Sequence, residues 1–138
     1  MQIILITGET GIGKSRLLTD VATHHKMVVV DPLAEGKNTW IEPPKSSRGV
    51  VIAHLSYLQD ANVAVSAATA WCKEHAGRLW LCDVWRLHVE EAGIALPSDA
   101  IELHLERNIW PWPVTARPGK RIVSSFDQAL SIAHRLAS

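Results

Sequence analysis

The sequence predicts an α/β fold, a mostly parallel sheet covered by helices on both faces. Two observations predict it. Short, almost continuously apolar runs rich in Val, Ile and Leu alternate with segments of helical spacing, and strands buried on both faces read this way in parallel sheets. The first run, "IILIT", leads into "GETGIGKS" and then into a helical pattern. Strand, glycine loop and helix in that order form the setting of a phosphate-binding loop. The expected architecture is therefore a three-layer P-loop NTPase fold, with residues 1–138 forming a single domain.

The elements follow in order. Residues 2–7 are apolar and β-branched and read as a strand. Leu17, Leu18 and Val21 set a helix over 14–25, and "MVVVD" a strand over 27–31. The segment 32–48 carries Pro32, Gly36, Pro43 and Pro44 and reads as an irregular loop. "GVVIAH" at 49–54 is a strand. Leu58, Ala61, Val65, Ala68, Trp71 and Cys72 give a helix over 56–75, and "RLWLCD" at 78–83 is a further strand. Ser98 after Pro97 reads as the cap of a helix running to about Arg107. "PVTA" and "RIVS" are short strands, and Ser125 with Gln128 forms a capping box for a last helix. Ligands in such sheets sit at the carboxyl ends of the strands. That edge is expected to gather the glycine loop, Asp31, Asp83 and the Arg117 region.

Composition narrows the classes. Lys and Arg total 14 and Asp and Glu total 14, so any nucleic-acid contact must come from a local basic patch and not from global charge. The cysteines are Cys72 and Cys82, both in apolar surroundings, as in a reducing compartment where thiols serve as small apolar residues. No stretch approaches the roughly 20 apolar residues of a membrane span. The N-terminus lacks a basic leader and a cleavage pattern. The expected location is the cytoplasm, or a host cytoplasm or virion for a viral chain.

Gly8, Gly13, Lys14 and Ser15 fit G-x-x-x-x-G-K-[ST]. Glycines let backbone N–H groups turn toward phosphate oxygens, and the positive end of the following helix adds to the attraction. The nucleotide-binding set is Gly8, Glu9, Thr10, Gly11, Ile12, Gly13, Lys14, Ser15 and Arg16. Lys14 would neutralise the β- and γ-phosphates of ATP, and Ser15 would offer its hydroxyl to Mg²⁺. The acid on the metal side would be Asp83, which follows four apolar residues at a strand end. The plainer role for Asp83 is to cap the next turn. A base or water-orienting group is less obvious. Val84 follows Asp83, and the candidates are Glu9, Glu90 and Glu91.

"MVVVDPLAEG", "GRLWLCD" and "IELHLERNIWPWPVTARPGK" together resemble the FtsK/HerA-like DNA-pumping ATPases, in a pared-down, RecA/FtsK-like version close in size to viral genome-packaging and filamentous-phage assembly ATPases. The resemblance implies a strand ending in Asp31-Pro32, a metal-binding strand ending in Asp83, a helix ending in a turn with Arg107, and a strand over Val114, Thr115 and Ala116. Val84 stands where that family has Glu, and Arg117 where it has Gln. The resemblance further implies a homo-oligomeric ring acting on double-stranded DNA, with Arg107 or Arg117 reaching a neighbour's γ-phosphate as an arginine finger.

Other constellations are less defined. Arg107, Arg117, Lys120 and Arg121 surround Trp110 and Trp112, a mix able to follow a phosphate backbone and stack on bases, or to serve as core and subunit contact. Lys37, Lys45 and Arg48 lie in the long loop. Cys72, His75, Cys82 and His88 invite zinc, but Cys82 belongs inside a strand and structural zinc sites use tighter paired spacing. The expected function is an oligomeric DNA-translocating or genome-packaging ATPase. The alternatives are a small-molecule kinase, with "RPGKR" as a basic lid, and an ATP-binding regulatory subunit. A guanine switch would need Asn-Lys-x-Asp, which the chain lacks.

Overall fold

The computed structural model describes residues 2–34, 39–107 and 117–138. Strands β1 (Ile3–Gly8), β2 (Met27–Val30), β3 (Gly49–Ile52), β4 (Arg78–Cys82), β5 (Ile101–Leu105) and β6 (Arg121–Ser124) form one sheet in the order β2-β3-β4-β1-β5-β6. Every pairing is parallel. Helices α1 (Lys14–His24), α2 (Ala61–Glu74), α3 (Arg86–Glu91) and α4 (Phe126–Ala137) cover it, with a short 3-10 turn at Leu55–Tyr57.

The alternation of β1 divides the core into two layers. Ile4 and Ile6 face α1 and α4, packing with Leu17, Leu18, Val21 and Ile132. Ile3 and Leu5 face α2, packing with Ala64, Val65, Ala68 and Trp71. Each fully buried Leu or Ile contributes about 1.5–3 kcal/mol relative to exposure, so the helical stripes at 17, 18, 21 and at 129, 132, 133 suffice to hold α1 and α4 on one face. Ser125 caps α4: its hydroxyl accepts from Gln128 N, and Ser125 N donates to the Gln128 side chain, the capping box that the sequence predicts.

Three expectations are corrected. Residues 98–107 do not form a helix. Ala100 N closes a turn onto Pro97 O at 3.1 Å, and Ile101–Leu105 then forms β5 beside β1 and β6. The physical reason is the period. Ile101, Leu103 and Leu105 recur every second residue and enter the layer under α1 and α4, which is a strand spacing. The Arg107 turn accordingly follows a strand and not a helix.

The Arg117 region does not lie at the carboxyl edge. Gly119 N donates to Ala100 O, and Glu102 N to Lys120 O, so the 117–120 turn sits where β5 and β6 begin, at the amino edge. A Cβ on Gly119 would meet Ser98 O at 2.6 Å. The helix expected from 56 begins instead at Ala61, after the 3-10 turn and after Asp60 at φ 51°. Helix α3 was not anticipated. The short strand expected at "PVTA", with Trp110 and Trp112, lies outside the described residues.

Candidate functional site

Strand β1 ends in the centre of the sheet and delivers its chain directly into the glycine loop. Gly13 stands before α1 at φ 114°, and a Cβ there would meet the Phe126 ring at 2.9 Å. Gly8 lies at φ 148°, where a Cβ would sit 3.0 Å from Leu105 O. Both positions are closed to other residues by conformation and by space.

Lys14 is the first residue of α1 and is only 6% exposed. Its Nζ donates to Gly8 O and, at 2.9 Å, to Glu9 O. Burial lowers the Lys14 pKa from its ordinary value, while Cys82, Asp83 and Glu9 act in the opposite sense. A cation held under a loop, above a helix start whose first N–H groups have no intrahelical partner, suits an incoming polyanion.

A cavity of about 380 Å³ opens over this loop. Thr10, Gly11 and residues 13–16 line one side, and Leu33, His54, Tyr57 and Val84 the other. Ser15 therefore faces the cavity expected for phosphate, and Arg16 borders it while its guanidinium lies 4.5 Å from the centre of the Phe126 ring.

Asp83 follows β4 directly beside β1, as the sequence predicts for the acid near the loop. It is 3% exposed. Its Oδ2 accepts from Ser56 N at 2.7 Å, and its Oδ1 accepts from Val84 N at 2.7 Å and contacts His88 Nδ1 at 3.1 Å. Asp83 thus caps its own turn and ties the 3-10 turn to β4. Among the described residues no group of three or more His, Cys, Asp and Glu would hold a metal unaided, so Mg²⁺ would have to arrive with phosphates, as it does in phosphate sites.

On the other side of β1 lies a second cavity, of about 300 Å³, touching Glu9 and Ile12 of the loop and bordered by Trp85, His104, Arg107 and Arg121. Arg107 does not extend away from the molecule. Its Nε lies 3.4 Å from Glu9 Oε1 and its Nη2 donates to Gly11 O at 3.4 Å, so it rests on the loop of its own chain. Arg117, at the opposite edge of the sheet, is not brought to the loop.

The sequence reading missed the polar groups beneath this second cavity. Thr7 Oγ1 donates to Glu102 Oε2 at 2.7 Å and lies 2.8 Å from His104 Nδ1. Arg121 Nε donates to Glu102 Oε2 at 3.2 Å, and His104 Nε2 lies 3.2 Å from Glu106 Oε1. Thr7, Glu102 and His104 are all buried. A Glu and a His inside a run with period two were the available signal.

Cys72 and Cys82 belong to opposite layers of the core, so the set Cys72, His75, Cys82 and His88 does not converge. Burial pushes the Cys72 thiol up to about 11 and the Cys82 thiol up to about 12. No described helix is long and apolar enough to cross a membrane. The chain matches no protein-family model, no curated protein and no solved structure.

Proposed function

We propose that this chain binds ATP at the Gly8–Ser15 loop and cleaves its terminal phosphate, acting as an oligomeric ATPase that moves or packages DNA. One observation carries the nucleotide reading: Lys14, almost wholly buried, is held by the carbonyls of Gly8 and Glu9 under a loop whose cavity also takes in Ser15. Lys14 would exchange those carbonyls for the β- and γ-phosphates, a stronger charged interaction. The backbone N–H groups of the α1 start would receive the remaining oxygens.

The donor chemistry fits Mg²⁺ delivered by the triphosphate. Ser15 would hold it, with Asp83 as the nearby carboxylate, and the ion would neutralise charge on the phosphates. The DNA-moving part of the proposal rests on the FtsK/HerA-like resemblance. Because Arg107 lies on its own loop, we assign it to phosphates in cis, and Arg117 is the residue that would reach a neighbour's γ-phosphate as a finger.

A second reading, a small-molecule kinase, draws support from the cavity that Trp85, His104 and Arg107 form against Glu9 and Ile12, a place for a phosphate acceptor. One experiment separates the two. ATP hydrolysis is followed across a protein-concentration series, with and without double-stranded DNA, while the oligomer mass is read in the same samples. The motor reading expects turnover that rises with assembly and responds to DNA. Turnover that appears only with an added hydroxyl acceptor, in a protein that stays small, supports the kinase and overturns the motor.

A further inference from the structure

Triphosphate cleavage by water needs a group that orients the water and accepts its proton. Of the expected acids, Glu90 and Glu91 do not line the phosphate cavity, and the remaining carboxylates near the loop are already engaged. Glu9 is ion-paired with Arg107, Glu90 with Arg86, and both Asp83 oxygens already accept from protein donors. Val84 has no polar side-chain atom. Among Leu33, His54, Tyr57 and Val84, which line the cavity with the loop, His54 is the one with a basic side chain.

His54 sits just beyond β3, at φ 50° and ψ 51°. The left-handed region is uncommon for a residue with a Cβ, and such strain collects at functional sites. The surrounding contacts hold it there. Tyr57 N donates to His54 O at 2.9 Å, Ala53 N donates to Val30 O at 2.9 Å, and Asp83 pins the turn through Ser56 N. The groups that face the imidazole are Asp31, whose Oδ1 lies 4.0 Å from Nε2, and the edge of the Tyr57 ring, with Lys14 across the cavity. Asp31 Oδ1 is itself oriented by Leu33 N at 2.9 Å. Asp83 emerges as the residue that positions this histidine.

We infer that His54, set at the Lys14–Ser15 cavity by the turn that Asp83 pins, is the general base that takes the proton of the attacking water. The inference rests on the triphosphate-cleavage reading above. In the step, the water oxygen forms its bond to the γ-phosphorus, the bond from that phosphorus to the β–γ bridging oxygen breaks, and the water's proton passes to His54 and then to solvent. ADP leaves with the bond electrons.

The test uses the full chain and reads ATP binding and ATP hydrolysis separately for the wild type, His54→Gly and His54→Asn. Glycine and asparagine accept the left-handed backbone, so both variants keep the turn. The expected result is binding within about 2-fold of wild type and turnover lowered about 100- to 1000-fold, the range of a lost general base. Added imidazole should restore part of the His54→Gly turnover and should do nothing for His54→Asn or for the wild type. The acidic limb of the wild-type pH profile should vanish in both variants. Variants that bind ATP and hydrolyse it within about 3-fold of wild type overturn the assignment of His54 while leaving the cleavage reading intact. A wild type that binds ATP but never cleaves it overturns the cleavage reading, and the inference with it.

Discussion

The two flanks of β1 treat polar groups in opposite ways. On the β4 and β3 side, Lys14, Ser15 and His54 face a shared cavity, and Lys14 is held by two loop carbonyls that a phosphate can replace. On the β5 and β6 side, Thr7, Glu102, His104 and Arg121 pair with one another beneath the second cavity. The first arrangement leaves a buried cation weakly committed. The second pairs one oxygen of a buried carboxylate from within, while Glu102 Oε1, without a hydrogen-bond partner among the described residues, faces the Arg86 charge at 3.7 Å. Buried charge that is matched internally specifies structure, and buried charge that a ligand can still match is available for binding.

Substitutions on each flank sharpen this contrast. The largest effect is expected from Lys14→Ala, which should lower ATP affinity about 100-fold, the loss of a charged hydrogen-bonded contact of about 3 kcal/mol. Its urea midpoint should stay near wild type, since water entering the open phosphate cavity can hydrate the freed carbonyls. Calorimetric titration and urea unfolding read the two quantities, and a parallel fall in both would mean that Lys14 is structural.

Glu102→Ala should do the reverse. It removes the acceptor of Thr7 and Arg121 and should destabilise by about 3 kcal/mol, as for a buried pair broken on one side, while ATP affinity stays within about 2-fold. A loss of ATP affinity with unchanged stability would mean that this flank belongs to the binding site.

Thr7→Val keeps the shape and deletes only the hydroxyl. Two buried groups lose a partner, and the expected cost is about 1–2 kcal/mol in the same unfolding experiment. The smallest effect lies away from both flanks. His25 has its pKa lowered, first by burial and then by His134, His24, Arg78 and Arg48. The unfolded chain therefore binds a proton that the folded chain resists. Stability from this site is full above the ordinary His value of 6.5 and is lost as pH falls below it. His25→Gln should flatten the decline in melting temperature between about pH 6.5 and 5. An unchanged slope would assign the decline to other groups.

Legibility differed along the chain for definite reasons. The glycine loop and α1 were readable because glycines, a lysine and a helical stripe act within a dozen residues. The capping box at Ser125 was equally local. Ile101–Leu105 was misread because the Ser98 cap signal outweighed the period-two alternation of Ile101, Leu103 and Leu105 with Glu102 and His104. The Thr7 hydroxyl and the Arg121 guanidinium, brought by β1 and β6, offset that burial together with Arg86 and Glu106. The Arg117 turn was assigned to the wrong edge because the direction of β5 decides which end of the sheet it reaches.

The sequence alone determined the alternation of strands and helices, the parallel sheet and the candidate phosphate loop, because each follows from apolar period or from backbone freedom close in the chain. Tertiary structure alone decided that Asp83 caps the turn bearing His54, that Arg107 rests on its own loop, and that His54 and Lys14 share one cavity. The strand order that sets β4 beside β1 and β3 beside β4 brings the ends of those strands together. Contacts between residues so distant in sequence depend on that order and leave no periodic trace in the chain.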